Sequence, residues 1–465
     1  MPNSRPIDEL SEPERRVVAQ VRAGRSNAEI AIRLGISVDS VEALLAYALV
    51  SLGLDDRAAL RVALGEPTAR ERGFPRRPLA ALLLAAAIAL AVSLPFLLSS
   101  GSDAQPAGSE TAASSEAEAA ATAVAELVAG LTNRSTTETP RALHSATPLS
   151  DGSVLLVGGI DPLSGQQLGS AEIYDPAAGE FALLSLRVPP RSRHTATVLS
   201  DGRVLIAGGR GLVPIDSAVI IDLVSGAVLE LEPPHLARGS HSATLLRDGR
   251  VLLLGGTGLS GALASAEIFD PITSSFREIA PPEVARWRHS ATRLRGGRVL
   301  IVGGRNAEGE LIDRAELFDP RDDSFRLVDS RSSHRFAHTA TLLADDRVLL
   351  VGGSDRLGAT ASIEVFDPAG ESFVRVGSLT QARSGHSATS LADGTILFVG
   401  GIALAGNELP RSVDRYDPQS GELLFMPALE SPRNGHSVSR LLNGSLLVLG
   451  GLVPPGVDEP LPALS

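Results

Sequence analysis

The sequence predicts a multidomain chain with a small all-α domain, one transmembrane helix and an all-β propeller of seven blades, with six as the alternative. Three observations carry this. A unit of 47 to 50 residues repeats from Arg141 onward, a period that signals stacked supersecondary units. A charge-free apolar run extends from Leu79 to Leu98, long enough to cross a bilayer. Helix start signals and a glycine turn crowd the first residues. The segments that follow are 1–65 (helical), 66–77 (basic, juxtamembrane), 78–98 (transmembrane), 99–140 (low-complexity linker) and 141–455 (propeller).

Within the repeat, an R-x-x-H-[ST] motif places histidines at His144, His194, His241, His289, His338, His386 and His436. A Gly-Gly pair follows each, from Gly158-Gly159 to Gly450-Gly451. Between them lie two short β-rich runs joined by Asp-Gly or Asn-Gly, at 151–152, 201–202, 248–249, 393–394 and 443–444. A type I′ hairpin needs two residues that accept positive φ, so these dipeptides predict tight A–B hairpins. A third strand ends at Tyr174, Phe269, Phe318, Phe366 or Tyr416, each followed by Asp-Pro, and Phe181, Phe276, Phe325 and Phe373 open a fourth.

Four antiparallel strands per unit, with Gly-Gly closing the second and aromatic-Asp-Pro the third, resemble the Kelch repeat over residues 141 to about 452. Phe stands where Kelch repeats usually carry Trp. Seven A–B hairpins but six C–D pairs imply seven blades whose last blade is short or is completed by a strand around Ala123–Leu131, or six blades and a leftover hairpin. A Kelch-related galactose oxidase would need a Cys-crosslinked Tyr, and this chain has no Cys. Carboxylates for glycoside hydrolysis are plentiful, but no pair stands out. With no catalytic set in view, the propeller reads as a binding platform and not an enzyme, and no cofactor is expected.

The arginines three residues before each repeat histidine, Arg141, Arg191, Arg238, Arg286, Arg335, Arg383 and Arg433, would ring one rim. A feature present in every blade builds blades more readily than it binds one ligand. Glu172, Glu267, Glu316, Glu364 and Asp414 on the third strands are the expected partners, and the histidines are read as structural, with no metal-ligand spacing. The connections after Gly-Gly are longer and differ between blades. Variable loops on a rigid scaffold carry recognition, which makes Arg210, Arg305, Asn306, Glu308, Asp355, Arg356, Asn407 and Glu408 the candidate ligand-binding residues.

The apolar run with Pro78 would span about 31 Å as a helix. Arg70, Arg72, Arg76 and Arg77 flank its N-terminal side and no basic residue flanks the other. The positive-inside rule then puts the N-terminus in the cytoplasm, the chain in the cell membrane as a single-pass protein and the propeller outside. The Ala-, Ser- and Thr-rich linker would tether the propeller at about 35 Å root-mean-square. With no Cys, any domain there depends on its own packing.

The net charge of -12 excludes a protein built mainly to coat nucleic acid, and only the first 77 residues, with 12 Arg against 11 Asp and Glu, approach neutrality. Ser11, Pro13 and Glu14 open one helix, and Ser26–Gly35 and Ile36 onward give two more around a glycine turn. Leu10, Ser26-Asn27, Glu29-Ile30-Ala31, Leu34, Ile36-Ser37-Val38, Val41, Leu45 and Leu52-Gly53 resemble the LuxR-type helix-turn-helix domain over residues 8 to 62. The resemblance implies DNA as a partner, with Arg22, Arg25, Arg33, Ser37 and Ser40 as candidate contacts. Yet Asp39, Glu42 and a Leu-rich run occupy the recognition helix, where a DNA binder needs basic residues. Leu44, Tyr47 and Val50 offer a protein-binding or dimer face instead.

The function that follows is a membrane-anchored sensor whose propeller binds a protein or glycan and whose helix-turn-helix regulates transcription, with a homodimer as the simplest signalling unit. Two alternatives stand beside it: an adaptor or adhesion protein whose helix-turn-helix binds only protein, and an extracytoplasmic carbohydrate-active hydrolase.

Overall fold

The computed structural model describes residues 12–23, the single positions 25, 30, 33 and 45, and residues 137–451 with breaks at 163–164, 329–333, 404–410, 427 and 430–431. The chain divides into two compact units, Met1–Ala123 and Val124–Ser465. In the first, one short helix, α1 (Glu12–Arg22), turns Val17, Val18 and Val21 inward, and Ile30 and Leu45 are also buried.

The second unit is all β. Blade 1 holds β1 (Ser145–Pro148), β2 (Val154–Val157), β3 (Ser170–Asp175) and β4 (Glu180–Arg187). Blade 2 holds β5 (Thr195–Val198), β6 (Val204–Ala207), β7 (Ala218–Asp222) and β8 (Ala227–Glu230). Blade 3 runs β9 (Ser242–Leu245), β10 (Val251–Leu254), a small ribbon of β11 (Thr257–Gly258) and β12 (Gly261–Ala262), then β13 (Ala266–Asp270) and β14 (Ser275–Glu278). Blade 4 holds β15 (Ser290–Arg293), β16 (Val299–Val302), β17 (Ala315–Asp319) and β18 (Ser324–Val328). Blade 5 adds another ribbon: β19 (Thr339–Leu342), β20 (Val348–Val351), β21 (Ser354–Asp355), β22 (Gly358–Ala359), β23 (Ser362–Asp367) and β24 (Ser372–Ser378). Blade 6 holds β25 (Ser387–Ser390), β26 (Ile396–Val399), β27 (Val413–Tyr416) and β28 (Leu423–Met426), and a hairpin of β29 (Ser437–Arg440) and β30 (Leu446–Leu449) follows.

Six sheets therefore have four strands, and among the described residues the last sheet has two. This corrects the expectation of seven blades in favour of six and a hairpin. The hairpin sits in the ring, with β29 beside both β25 and β1. Leu446 packs with Leu397 and Val399 of blade 6, and Leu447 and Leu449 with Val154 and Leu156 of blade 1. The segment around Ala123–Leu131 lies outside the described residues.

Every second strand of a sheet, such as Val154-Leu-Leu-Val157 and Val299-Leu-Ile-Val302, is buried along its whole length. That is what a sheet covered on both faces requires. The core is thus a series of layers between neighbouring sheets, as where Leu300 and Val302 meet Val348 and Leu350. Across each outer strand pair the expected aromatics face each other directly. Phe318 pairs with Phe325 at 4.9 Å between ring centroids, and Tyr174 pairs with Phe181 at the same spacing.

The A–B turns differ from the type I′ expectation. Gly152 N donates to Leu149 O at 3.1 Å and Leu149 N to Ser153 O at 2.8 Å, with positive φ at Gly152 and not at Asp151. This is a three-residue loop, a type I turn followed by a left-handed glycine. Asp151 accepts from Ser153 N at 2.9 Å instead of entering the left-handed region.

Two further expectations are corrected. Among the described residues no helix is long and apolar enough to cross a membrane. The run Leu79–Leu98 lies outside the described residues, and single-pass placement with an extracytoplasmic propeller is not supported. The same holds for the multidomain helix-turn-helix architecture. One short helix is described, and the expected recognition helix, with Ser37, Ser40, Leu44, Tyr47 and Val50, lies outside the described residues.

Candidate functional site

The repeated polar residues build the ring. Arg286 is fully buried and donates from Nη2 to Glu316 Oε1 at 2.5 Å and from Nη1 to Gly303 O at 3.0 Å. Glu316 Oε2 accepts from Glu283 N at 2.9 Å, so one carboxylate neutralises the guanidinium and caps the incoming loop. Arg141–Glu172, Arg238–Glu267, Arg335–Glu364 and Arg383–Asp414 repeat the pair. Blade 2 differs, because Val219 stands where the others place a carboxylate. There Arg191 donates to Pro189 O, Gly208 O and Ser217 Oγ, all neutral, and burial lowers its pKa to about 10. The loop entering blade 2 carries Pro189 and Pro190, which have no N–H to be capped.

Each histidine reaches back to the preceding sheet. His194 Nε2 meets Ser145 Oγ at 2.8 Å, His241 meets Thr195 at 3.0 Å, and so on round to His436 and Ser387 at 3.0 Å. His144 closes the circle on Ser437 of the hairpin at 2.9 Å. The [ST] of the motif is thus the partner of the next histidine. Burial, helped by the nearby arginine, holds His144, His194 and His289 at a pKa of about 3. Their Nδ1 atoms are buried without a hydrogen-bond partner, so a second ring proton would have no acceptor.

The site with open chemistry lies on the face formed by the loops after Gly-Gly. Gly303 and Gly304 end β16 at φ +65° and +98°, and a Cβ on Gly303 would stand 2.2 Å from Arg335 O. Only glycine lets the chain leave the sheet this close to the next blade. The loop 305–314 then folds on itself: Gly309 N donates to Asn306 O at 3.1 Å, Glu310 N to Asn306 Oδ1 at 2.8 Å, and Asn306 Nδ2 to Glu310 Oε2 at 3.0 Å. Ile312 is buried and anchors the return. The Arg305 guanidinium stacks 4.0 Å over the Phe336 ring, whose other aromatic neighbour is Trp287, the only Trp of the chain.

Between this loop and the β21–β22 ribbon of blade 5 lies a cavity of about 710 Å³. Arg305, Asn306, Glu310, Asp313 and Arg314 line it from blade 4, and Asp355 and Arg356 from blade 5. Val284, Leu311 and Ile312 supply apolar surface. Asp355 Oδ1 accepts from Leu357 N at 2.7 Å, and Asp313 lies 3.9 Å from His334.

Four of the eight candidate ligand residues, Arg305, Asn306, Asp355 and Arg356, therefore share one cavity. Glu308 is exposed at the loop tip, outside the cavity lining, and Arg210 belongs to the corresponding loop of blade 2. Asn407 and Glu408 lie outside the described residues. Sequence reasoning missed Glu310, Asp313 and Arg314, although the charge density of 305–314 was the available signal. In the N-terminal unit Arg22 and Arg33 are exposed, Arg25 bonds Gln20 Oε1 at 2.7 Å, and Ser37 and Ser40 lie outside the described residues.

No known family and no curated protein matches the chain. Among solved structures, a fungal alcohol oxidase of the AA5 family, in complex with copper, superposes with a TM-score of 0.58 at 17% identity over 69% of this chain and 73% of that one. The protein YjhT gives 0.49 at 13% identity over 63% and 99%. The first likeness shows the β-propeller fold. It also corrects the reading of this architecture as a non-enzyme, since the same scaffold carries an oxidase. Copper itself does not fit the residues here. Among the described residues no group of three or more His, Asp or Glu is placed to hold a metal ion, and each repeat histidine spends its Nε2 on a neighbouring hydroxyl.

Proposed function

We propose that the propeller is a carbohydrate-active scaffold that takes a saccharide into the cavity between blades 4 and 5. The observation that carries this is the mixed lining: guanidinium donors, carboxylate acceptors and a carboxamide that does both, in one concavity of about 710 Å³. Vicinal hydroxyls donate and accept alternately, so a sugar ring matches such a surface better than an apolar ligand does. The volume lies in the range of small-ligand sites and is unlike a flat protein interface. A Kelch-type assignment belongs to the same proposal, supported by the aromatic-Asp-Pro strands and the closed histidine circle.

Hydrolysis is the second reading, favoured by three carboxylates, Glu310, Asp313 and Asp355, on one cavity. Calorimetry of the full chain against neutral and acidic oligosaccharides, with reducing-end release followed in parallel, tests both. Binding that Asp355→Ala and Asn306→Ala each weaken at least about tenfold is expected. Reducing ends released by the wild type and lost in Glu310→Gln would add catalysis. If no saccharide of either charge class binds, the proposal fails.

A further inference from the structure

Within the cavity the carboxylates and the guanidiniums are not equally satisfied. Glu310 receives the Asn306 carboxamide, Asp355 receives the Leu357 amide, and Asp313 faces His334. Arg314 and Arg356 are exposed, line the same cavity from two blades, and among the described residues neither guanidinium makes an ion pair or a side-chain hydrogen bond. The opposite rim of the propeller is different. There Arg277 meets Asp323 at 2.5 Å, Arg250 meets Asp323 at 3.3 Å, and Arg298 meets Glu371 at 3.2 Å, each bridging neighbouring blades. Each of these carboxylates has a partner and keeps open acceptor positions beside it, whereas Arg314 and Arg356 bring donors with no partner among the described residues, and the formal charges of the lining balance.

From this asymmetry we propose that the saccharide is acidic: Arg314 and Arg356 grip a sugar carboxylate, as in a uronic acid, while Asn306 and Asp355 take ring hydroxyls. This rests on the carbohydrate reading above. A guanidinium presents paired donors that match a carboxylate, and two of them from separate blades would fix the orientation of the sugar as well as its charge. A neutral hexose offers both arginines only hydroxyl acceptors, which form weaker bonds than a carboxylate does.

Titrating the full chain with a tri-galacturonate, its methyl ester and a neutral hexose trimer separates the two levels. The acid should bind at least about tenfold more tightly than its ester, and Arg314→Gln and Arg356→Gln should each erase most of that preference. Arg187→Gln, on an outer strand of blade 1, serves as the control and should keep it. Equal affinity for acid and ester overturns the acidic-sugar proposal and leaves the carbohydrate reading standing. An acid preference that survives both cavity variants overturns the assignment to Arg314 and Arg356. Failure of all three ligands to bind overturns both readings. Because the ester comparison uses the unmodified protein, a poorly folding variant does not decide the outcome.

Discussion

Arg286 and Arg191 occupy the same place in the fourth and second repeats with different partners. Arg286 faces Glu316, which is also fully buried, whereas Arg191 is surrounded by carbonyls and a serine hydroxyl. Breaking a buried pair by removing one partner costs roughly 3–5 kcal/mol, because the remaining charge is left uncompensated in a poor solvent. Arg286→Met does this to Glu316. Arg191→Met strands only neutral acceptors, which cost about 1–3 kcal/mol when unsatisfied. Urea unfolding should therefore show Arg286→Met to be the less stable variant by about 2 kcal/mol. Equal losses would mean that the carboxylate contributes no more than a carbonyl does. The same contrast fits Val219, since in blade 2 Val188, three residues before the arginine like Glu283, gives its N–H to Gly169 O at 3.1 Å, and Pro189 and Pro190 after it have none to be capped.

At the scale of elements, strand order and pairing were legible because each strand's signal is local: apolar runs, aromatic-Asp-Pro endings, Gly-Gly exits. The pairing of the repeat arginines with third-strand carboxylates was legible too, because both recur at fixed offsets. Turn type was not, since Asp-Gly suits a type I′ turn and a type I turn with a left-handed glycine equally well. The cavity was half legible. It joins loops from two blades, and no local pattern says which loops meet. The C–D turns offer a test of local strain. Gly179, Gly226 and Gly421 sit there at positive φ, but Ser274 holds φ 54° in blade 3 with no side-chain bond among the described residues. A left-handed non-glycine residue costs about 1–2 kcal/mol, and glycine's extra chain entropy returns about 0.5–1. Ser274→Gly should raise stability by about 0.5–1 kcal/mol, read from the urea midpoint, and a loss would show that the serine is held by something other than its backbone.

Across the whole molecule, the seven histidines join all six blades and the hairpin into one circle, so their protonation acts on the ring as a unit. Burial is the main cause of their low pKa, with the adjoining arginines adding to it: about 3 for His144, His194, His289, His386 and His436, and well below 6.5 for His241 and His338. In the unfolded chain each returns to about 6.5. Between these values the unfolded state binds protons that the native state refuses, so stability is fully present above pH 6.5 and falls as pH drops toward 3. Each histidine contributes about 1.4 kcal/mol per pH unit within that window, and several acting together exceed the stability of an ordinary domain. The propeller should therefore lose its fold near pH 5, well above the carboxylate range, with uptake of several protons on unfolding. Urea midpoints measured from pH 7.5 down to 4.5 should begin to fall near pH 6.5. A midpoint that stays flat until pH 4 would mean that the circle accepts protons while folded, and that His–hydroxyl contacts such as His289–Ser242 open without breaking the ring.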